Sequence, residues 1–310
     1  MESGQAVSLE VRVVPASHMA TVAGEFESEC GEVGSQKIDY LQAFEGERSV
    51  GLLGLEWSAG GNVWLCGPKI DTQGPKASQV ARALLAAANQ HIEQRHVNLA
   101  QVMLNPAQLI ESGWYTDFGY DRVIMLELNV RTISSEETAH EFSPPQSDCR
   151  SILYATEHHV RFSKTLAASY VGSQDCLVLR RQSDPETALA DYRGRGLFEP
   201  TLWRLFQSAD EDFGCLLLRH HADDASLEIV YLGLVPPFRR LGWGHWATCI
   251  AMAEAKRLGC RQLTVAVDTE NAAARRLYAH CGFWCFAKKR VQIRTFDAQA
   301  IAPYPPSPTP

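Results

Sequence analysis

Residues 227–244, LEIVYLGLVPPFRRLGWG, constrain this chain more than any other stretch. The apolar run up to Val235 predicts a buried strand. Pro236 and Pro237 end it, because proline removes ladder donors. Gly242 and Gly244 then open a helix that places Trp243, Ala247, Ile250, Ala251 and Leu258 on one face. Lys256 and Arg257 occupy its last turn and Gly259 stops it. A strand that feeds straight into a helix start belongs to an α/β architecture. The first helical turn leaves backbone N–H groups unpaired at the positive end of the dipole. Glycines there let an anion approach those groups, and Arg239 or Arg240 adds charge.

The rest of the chain arranges itself around that unit. Residues 8–14, SVGLLGLEWS and NVWLCG read as strands, a helix carries Val80, Leu84, Ala87, Ala88 and Ile92, and NLAQVML and FGYDRVIMLEL are strands flanking a short helix. The second half reads as a short strand near Arg150, two helices, the hairpin TLWRLFQ and FGCLLLRHH, and then the central unit. Asp184 or Ser183 caps the second of those helices, with Pro185 in its first turn. The strand RQLTVAV, the helix NAAARRLYAH and the strand FWCFAKKRVQIR follow. Both halves share one order: hairpin strands, long helix, strand, short helix, strand. That predicts a diverged internal duplication. The expected boundaries are a first lobe over 1–131, a Ser- and Pro-containing linker over 132–149, a second lobe over 150–295 and a disordered Pro-rich tail over 296–310.

Composition removes several classes. A net charge of −7 without a basic cluster argues against nucleic-acid binding. No apolar run reaches the ~20 residues of a membrane helix, and the N-terminal residues do not form a signal peptide. Nine cysteines without a CxxC predict reduced thiols in a cytoplasmic protein. The pairs His158-His159 and His220-His221 lack metal-ligand spacing and read as solvated loop pairs, so no metal is expected.

The motif Arg239-Arg240-Leu241-Gly242-Trp243-Gly244 after a strand resembles the acetyl-CoA pyrophosphate loop of the GNAT N-acetyltransferase superfamily. Asn271-Ala-Ala-Ala-Arg-Arg-Leu-Tyr278, ending in Gly282-Phe283, is similar to that superfamily's second signature. The resemblance covers about 145–295 and extends to the first half only through element order and Phe118-Gly119. It implies an α/β fold of two tandem GNAT-like lobes, each a mixed, mostly antiparallel sheet with helices on both faces.

The resemblance also implies roles. Leu232, Gly233 and Leu234 would offer backbone groups to pantetheine, and the N–H groups from Arg240 through Leu241, Gly242, Trp243 and Gly244 to His245 would hold the pyrophosphate. Asn271 would line the far arm of the co-substrate acetyl-CoA. Tyr278 would face the sulfur as general acid. Glu228 stands at the interval before the glycines seen in the superfamily's histone acetyltransferases and is the candidate base. Without a bulge it shares a strand face with Val230, Leu232 and Leu234. A partly buried carboxylate with raised pKa would serve to deprotonate an amine.

In the first half, GPKIDTQGPKASQ replaces the glycine loop, Gln108 stands for Asn271, and Tyr115 matches Tyr278. That lobe is expected to be structural or to form one wall of the acceptor site. The expected activity is acetyl transfer to a small-molecule or peptide amine. The alternative is a catalytically degenerate acetyl-CoA-binding sensor or scaffold.

Overall fold

The computed structural model describes residues 9–14, 38–95, 97–134, 143–175, 184–194 and 197–296. Residues 135–142 of the expected linker, residues 297–310 of the expected tail and Ser183 lie outside the described residues, whereas Phe296, the first residue of the expected tail, packs against the core. The first half runs β1 (Leu9–Val14), β2 (Ile38–Glu45), β3 (Arg48–Trp57), β4 (Val63–Ile70), α1 (Pro75–Glu93), β5 (Leu99–Leu104), α2 (Leu109–Asp117) and β6 (Arg122–Thr132). The second runs β7 (Cys149–Leu153), α3 (His159–Tyr170), α4 (Pro185–Gly194), β8 (Trp203–Ser208), β9 (Glu211–His221), β10 (Ser226–Leu234), α5 (Trp243–Arg257), β11 (Gln262–Asp268), α6 (Ala272–His280) and β12 (Trp284–Thr295). β2 is an addition to the expected strands. Its Asp39 and Gln42 interrupt the apolar pattern, although Tyr40, Leu41 and Ala43 are buried.

All the strands lie in one 12-stranded sheet of order β1-β2-β3-β4-β5-β12-β6-β11-β10-β9-β8-β7. Among the described strands, only β4–β5 and β10–β11 pair in parallel. The closing strands are exchanged. β6, which ends the first half, pairs with β11, while β12 pairs with β5, and the two pair with each other. Sequence pattern alone suggests that each half closes on its own last strand. Both strands are long and neither alternates cleanly between buried and exposed residues, so periodicity carries no information on which edge is taken.

Two apolar clusters follow the two halves. One gathers Val80, Leu84, Leu85, Ala88 and Ile92 of α1 against β2 to β5. The other gathers Trp243, Trp246, Ala247 and Ala251 of α5 with Phe206, Phe213 and Leu263. A Cβ on Gly233 of β10 would strike Ser169 of α3, whereas a Cβ on Gly244 of α5 would reach Leu234. Adjacent strand residues point to opposite faces, so α3 and α5 cover opposite faces of the sheet. Asp184 caps α4, accepting from the N–H groups of Glu186 at 2.9 Å and Thr187 at 3.4 Å. Among the side-chain contacts that join the halves, Asp191 of α4 accepts from the Gly60 N–H at 2.6 Å and Asn62 Nδ2 at 2.7 Å in the β3–β4 turn.

The expectation of uniformly reduced thiols is corrected at Cys66, which is disulfide-bonded; Cys149, Cys215, Cys249, Cys260, Cys281 and Cys285 are free. The histidine pairs are not solvated loops either. His220 and His221 end β9, and His159 at the start of α3 bonds Tyr154 at 3.0 Å and Glu186 at 2.6 Å. No described helix is long and apolar enough to cross a membrane.

Candidate active site

β10 holds its parallel neighbour only from Ser226↔Gln262 to Ile229↔Val265. Beyond Ile229 it keeps its antiparallel partner β9 but parts from β11, with a register shift between Ile229 and Tyr231. Backbone groups in a strand alternate between its two neighbours. From Tyr231 to Leu234, every second N–H and C=O therefore faces the gap left by β11. Leu232, Gly233 and Leu234 line that gap. Gly233 is required there by space, since a Cβ would lie 2.5–2.6 Å from the Tyr231 ring and the Ser169 hydroxyl.

The gap opens beside the start of α5. Gly242 is its N-cap, at φ 89° and ψ −12°, and no side chain caps the helix. The first intrahelical bond is Trp246 N–H to the Gly242 carbonyl at 3.1 Å. The N–H groups of Trp243, Gly244 and His245 thus have no intrahelical partner. Arg240, Leu241 and Gly242 are exposed. The other motif residues divide into separate duties. Trp243 is buried at 1% exposure among Phe213, Phe238 and Trp246. Gly244 makes room for Leu277 of α6, which would sit 3.1 Å from a Cβ. Arg239 is a clamp: its Nε donates to the Leu234 carbonyl at 2.9 Å and its Nη2 to the Ser169 carbonyl at 2.9 Å. Arg240, held at φ 61°, is the motif arginine exposed beside the N-terminus.

α6 carries the second motif. Asn271 caps it, Oδ1 accepting from the Ala274 N–H at 3.1 Å. Tyr278 is buried and meets Phe283 edge-on at 5.3 Å. Its hydroxyl has no hydrogen-bond partner among the described residues. Burial pushes this phenol up, with the Asp175 carboxylate adding to the effect, so it stays protonated across the neutral range. Burial likewise pushes the neighbouring Cys281 thiol up, away from the thiolate a nucleophile needs. Asp175 also acts on Tyr192 and Tyr231, so the turn after α3, splayed β10 and α6 share one neighbourhood.

Glu228 departs from its expected setting. The bulge after Ile229 breaks the alternation, so Glu228 does not share a face with Leu232 and Leu234. It faces the α3–α4 side, where its Oε2 accepts from Arg219 Nη1 at 3.1 Å and meets His221 Nε2 at 3.0 Å. Arg219 also donates to the Tyr192 carbonyl at 3.1 Å, and Tyr192 stacks on Tyr231 at 5.8 Å. The carboxylate is thus clamped rather than simply desolvated, with 30% of its side chain exposed. Arg219 and His221 were within reach of sequence reasoning. The short turn between β9 and β10 fixes Arg219 opposite Glu228 and His221 opposite Ser226, which puts all three side chains on one face. Tyr192 and Asp175 carry no such signal, because helix packing brings them in.

The first half provides an internal comparison. Its parallel pair β4–β5 also parts early, after Leu65↔Val102. There Tyr115, fully buried, donates its hydroxyl to the Gly67 carbonyl on the departing strand. Gly74 caps α1 at φ 66°, but Pro75 follows at the first position and supplies no N–H. The equivalent groove is stitched shut and the equivalent cradle has lost a donor.

A strand that parts from its parallel neighbour beside a glycine-opened helix start leaves a groove that ends at backbone N–H groups suited to an anion. Residues 183–283 match the acetyltransferase (GNAT) family. The uncharacterized N-acetyltransferase YycN of Bacillus subtilis (strain 168) is 29% identical over 138 residues, 43% of this chain and 85% of that protein. The mycothiol acetyltransferase of Geodermatophilus obscurus is 39% identical over 56 residues, 18% of each chain. Among solved structures, a GCN5-related N-acetyltransferase from Sphaerobacter thermophilus superposes with a TM-score of 0.63 at 15% identity, covering 93% of this chain and 95% of that one. A tandem GNAT protein from the clavulanic acid biosynthesis pathway gives 0.58 at 12% identity, covering 93% and 98%. Residues 183–283 are therefore similar to the GNAT acetyltransferase family, and the chain as a whole has a two-lobed fold like that of these structures.

Proposed function

We propose that the second half transfers an acetyl group from acetyl-CoA to a primary amine by direct attack in a ternary complex. The observation that supports this most is the gap between β10 and β11 opening beside the uncapped start of α5. Pantetheine lies along Leu232, Gly233 and Leu234. The pyrophosphate lies on the N–H groups from Arg240 to His245, with Asn271 toward the far arm. A β10 N–H facing the gap polarises the thioester carbonyl. Glu228, oriented by Arg219 and His221, takes the proton from the ammonium form of the acceptor. The amine nitrogen then bonds to the acetyl carbon, the C–S bond breaks, Tyr278 gives its proton to the departing sulfur, and the second proton shed by the new amide nitrogen restores the phenol through solvent. Tyr170, Tyr192 and Tyr231, on the Glu228 face, form the nearest wall for the acceptor.

The test is coenzyme A release across a panel of amines, beside the melting temperature with acetyl-CoA alone. Turnover with any amine supports the reading. A rise in melting temperature with no turnover from any amine makes the chain an acetyl-CoA-binding sensor and overturns it. Glu228→Gln is expected to lower the rate about 100-fold near neutral pH, within the usual range for acid–base groups. The deficit shrinks as the pH approaches the amine's own pKa of about 10.4, where the solvent has already removed the proton. An unchanged pH–rate profile would remove Glu228 as the base.

A further inference from the structure

α6 belongs to the second half, yet three of its holding points lie on β6 of the first. At its entry, the Thr269 N–H donates to the Met125 carbonyl at 2.8 Å. Along the helix, Arg275 Nε donates to Glu127 Oε2 at 2.9 Å and Arg275 Nη2 to Glu127 Oε1 at 3.1 Å. At its exit, Arg131 Nη1 donates to the Cys281 carbonyl. Tyr278 lies between the second and third points. Glu127 is 7% exposed and also takes Lys288 of β12 at 3.4 Å. Burial would push its carboxyl up, but Arg275 and Lys288 outweigh that and hold it below the usual carboxylate range. A two-pronged guanidinium–carboxylate pair fixes orientation as well as distance.

A fixed helix matters to the chemistry because a proton donor has to sit within hydrogen-bond reach of its acceptor. A misplacement of about 1 Å costs on the order of 100-fold in rate. We infer that Glu127 and Arg131 are positioning residues for Tyr278: through its exchanged strand, the first half sets the reach of the acid in the second half's active site. The inference rests on the proposed role of Tyr278. It gives the first half a part in the reaction even though its own groove is closed.

The experiment is a double-mutant cycle in the full chain, reading kcat, the KM for acetyl-CoA and the thermal midpoint for Glu127→Gln, Tyr278→Phe and the pair. Glu127→Gln is expected to lower kcat about tenfold and leave the KM within about twofold, because the cradle on α5 is untouched. In the Tyr278→Phe background it is expected to cost nothing further, since residues acting through one another are non-additive. An equal loss in both backgrounds overturns the inference, because a general structural defect would act with or without the hydroxyl. Arg131→Lys keeps a donor for the Cys281 carbonyl and is expected to retain most of kcat, whereas Arg131→Met is expected to lose it; wild-type kcat in Arg131→Met also overturns the inference. Arg275→Gln breaks the same pair from its more exposed side and takes the place of Glu127→Gln in the cycle if that variant does not fold. If Tyr278→Phe alone has wild-type kcat, it is the acid role that fails, a result distinct from additivity in the cycle.

Discussion

Gly242→Glu is expected to weaken acetyl-CoA binding by at least about 100-fold, and Gly242→Ala by far less. Both variants put a side chain at φ 89°, where a Cβ costs about 1–2 kcal/mol. Both also place a Cβ 3.5 Å from the Pro145 ring, which is ordinary contact. The pair therefore shares its strain and differs in charge. A carboxylate beside the first-turn N–H groups of α5 occupies the place of the anion at the positive end of the helix. Calorimetric titration of both variants with acetyl-CoA separates the two effects. Equal affinities would show that only backbone strain matters, and unchanged affinity in Gly242→Glu would end the assignment of this loop to the pyrophosphate.

Tyr278→Phe is expected to lower kcat about 100-fold. That is the lower end of the range for acid–base groups, because a thiolate is already a fair leaving group. The phenol is held up by burial and by Asp175, so it stays protonated through neutral pH, and the deficit should be similar from about pH 6 to pH 9. Tyr115→Phe is the matched control. It removes the bond to the Gly67 carbonyl in the closed groove. A buried acceptor left without its donor costs about 1–3 kcal/mol, so the melting temperature should fall while kcat stays at the wild-type value. The reverse pattern, with Tyr115→Phe slowing turnover and Tyr278→Phe only destabilising, would exchange the roles of the two halves.

The two motifs were legible because each is written in consecutive residues. Gly242 had to take a conformation that other residues resist, and Asn271 had to cap a helix, so their spacing carries geometry. The order of elements within each half was also legible, β2 excepted, because each is a local periodic run. Three things were not. The bulge after Ile229 turns Glu228 to the α3–α4 face, and no residue at 229–231 announces it, since Ile, Val and Tyr suit a regular strand equally well. The exchange of β6 and β12 depends on which of two similar edges each strand meets, a choice made by long-range packing. The division of labour within the arginine–glycine motif was also hidden. Sequence offers Arg239 and Arg240 as equal cations, but a carbonyl of β10 and another of α3 lie within reach of Arg239, and the strain at Arg240 turns that residue outward.

The exchange of closing strands has a consequence for how the chain is made. β5 is translated early, yet its partner, residues 284–295, is nearly the last described segment to be synthesised. While the ribosome works through the intervening residues, the first half carries an open strand edge of the kind that invites wrong pairing. β6 is in the same position, since both its neighbours, β11 and β12, are made after it. The first half cannot reach its final sheet during its own synthesis, and a ribosome that stalls before residue 284 leaves β5 and β6 each with an open edge.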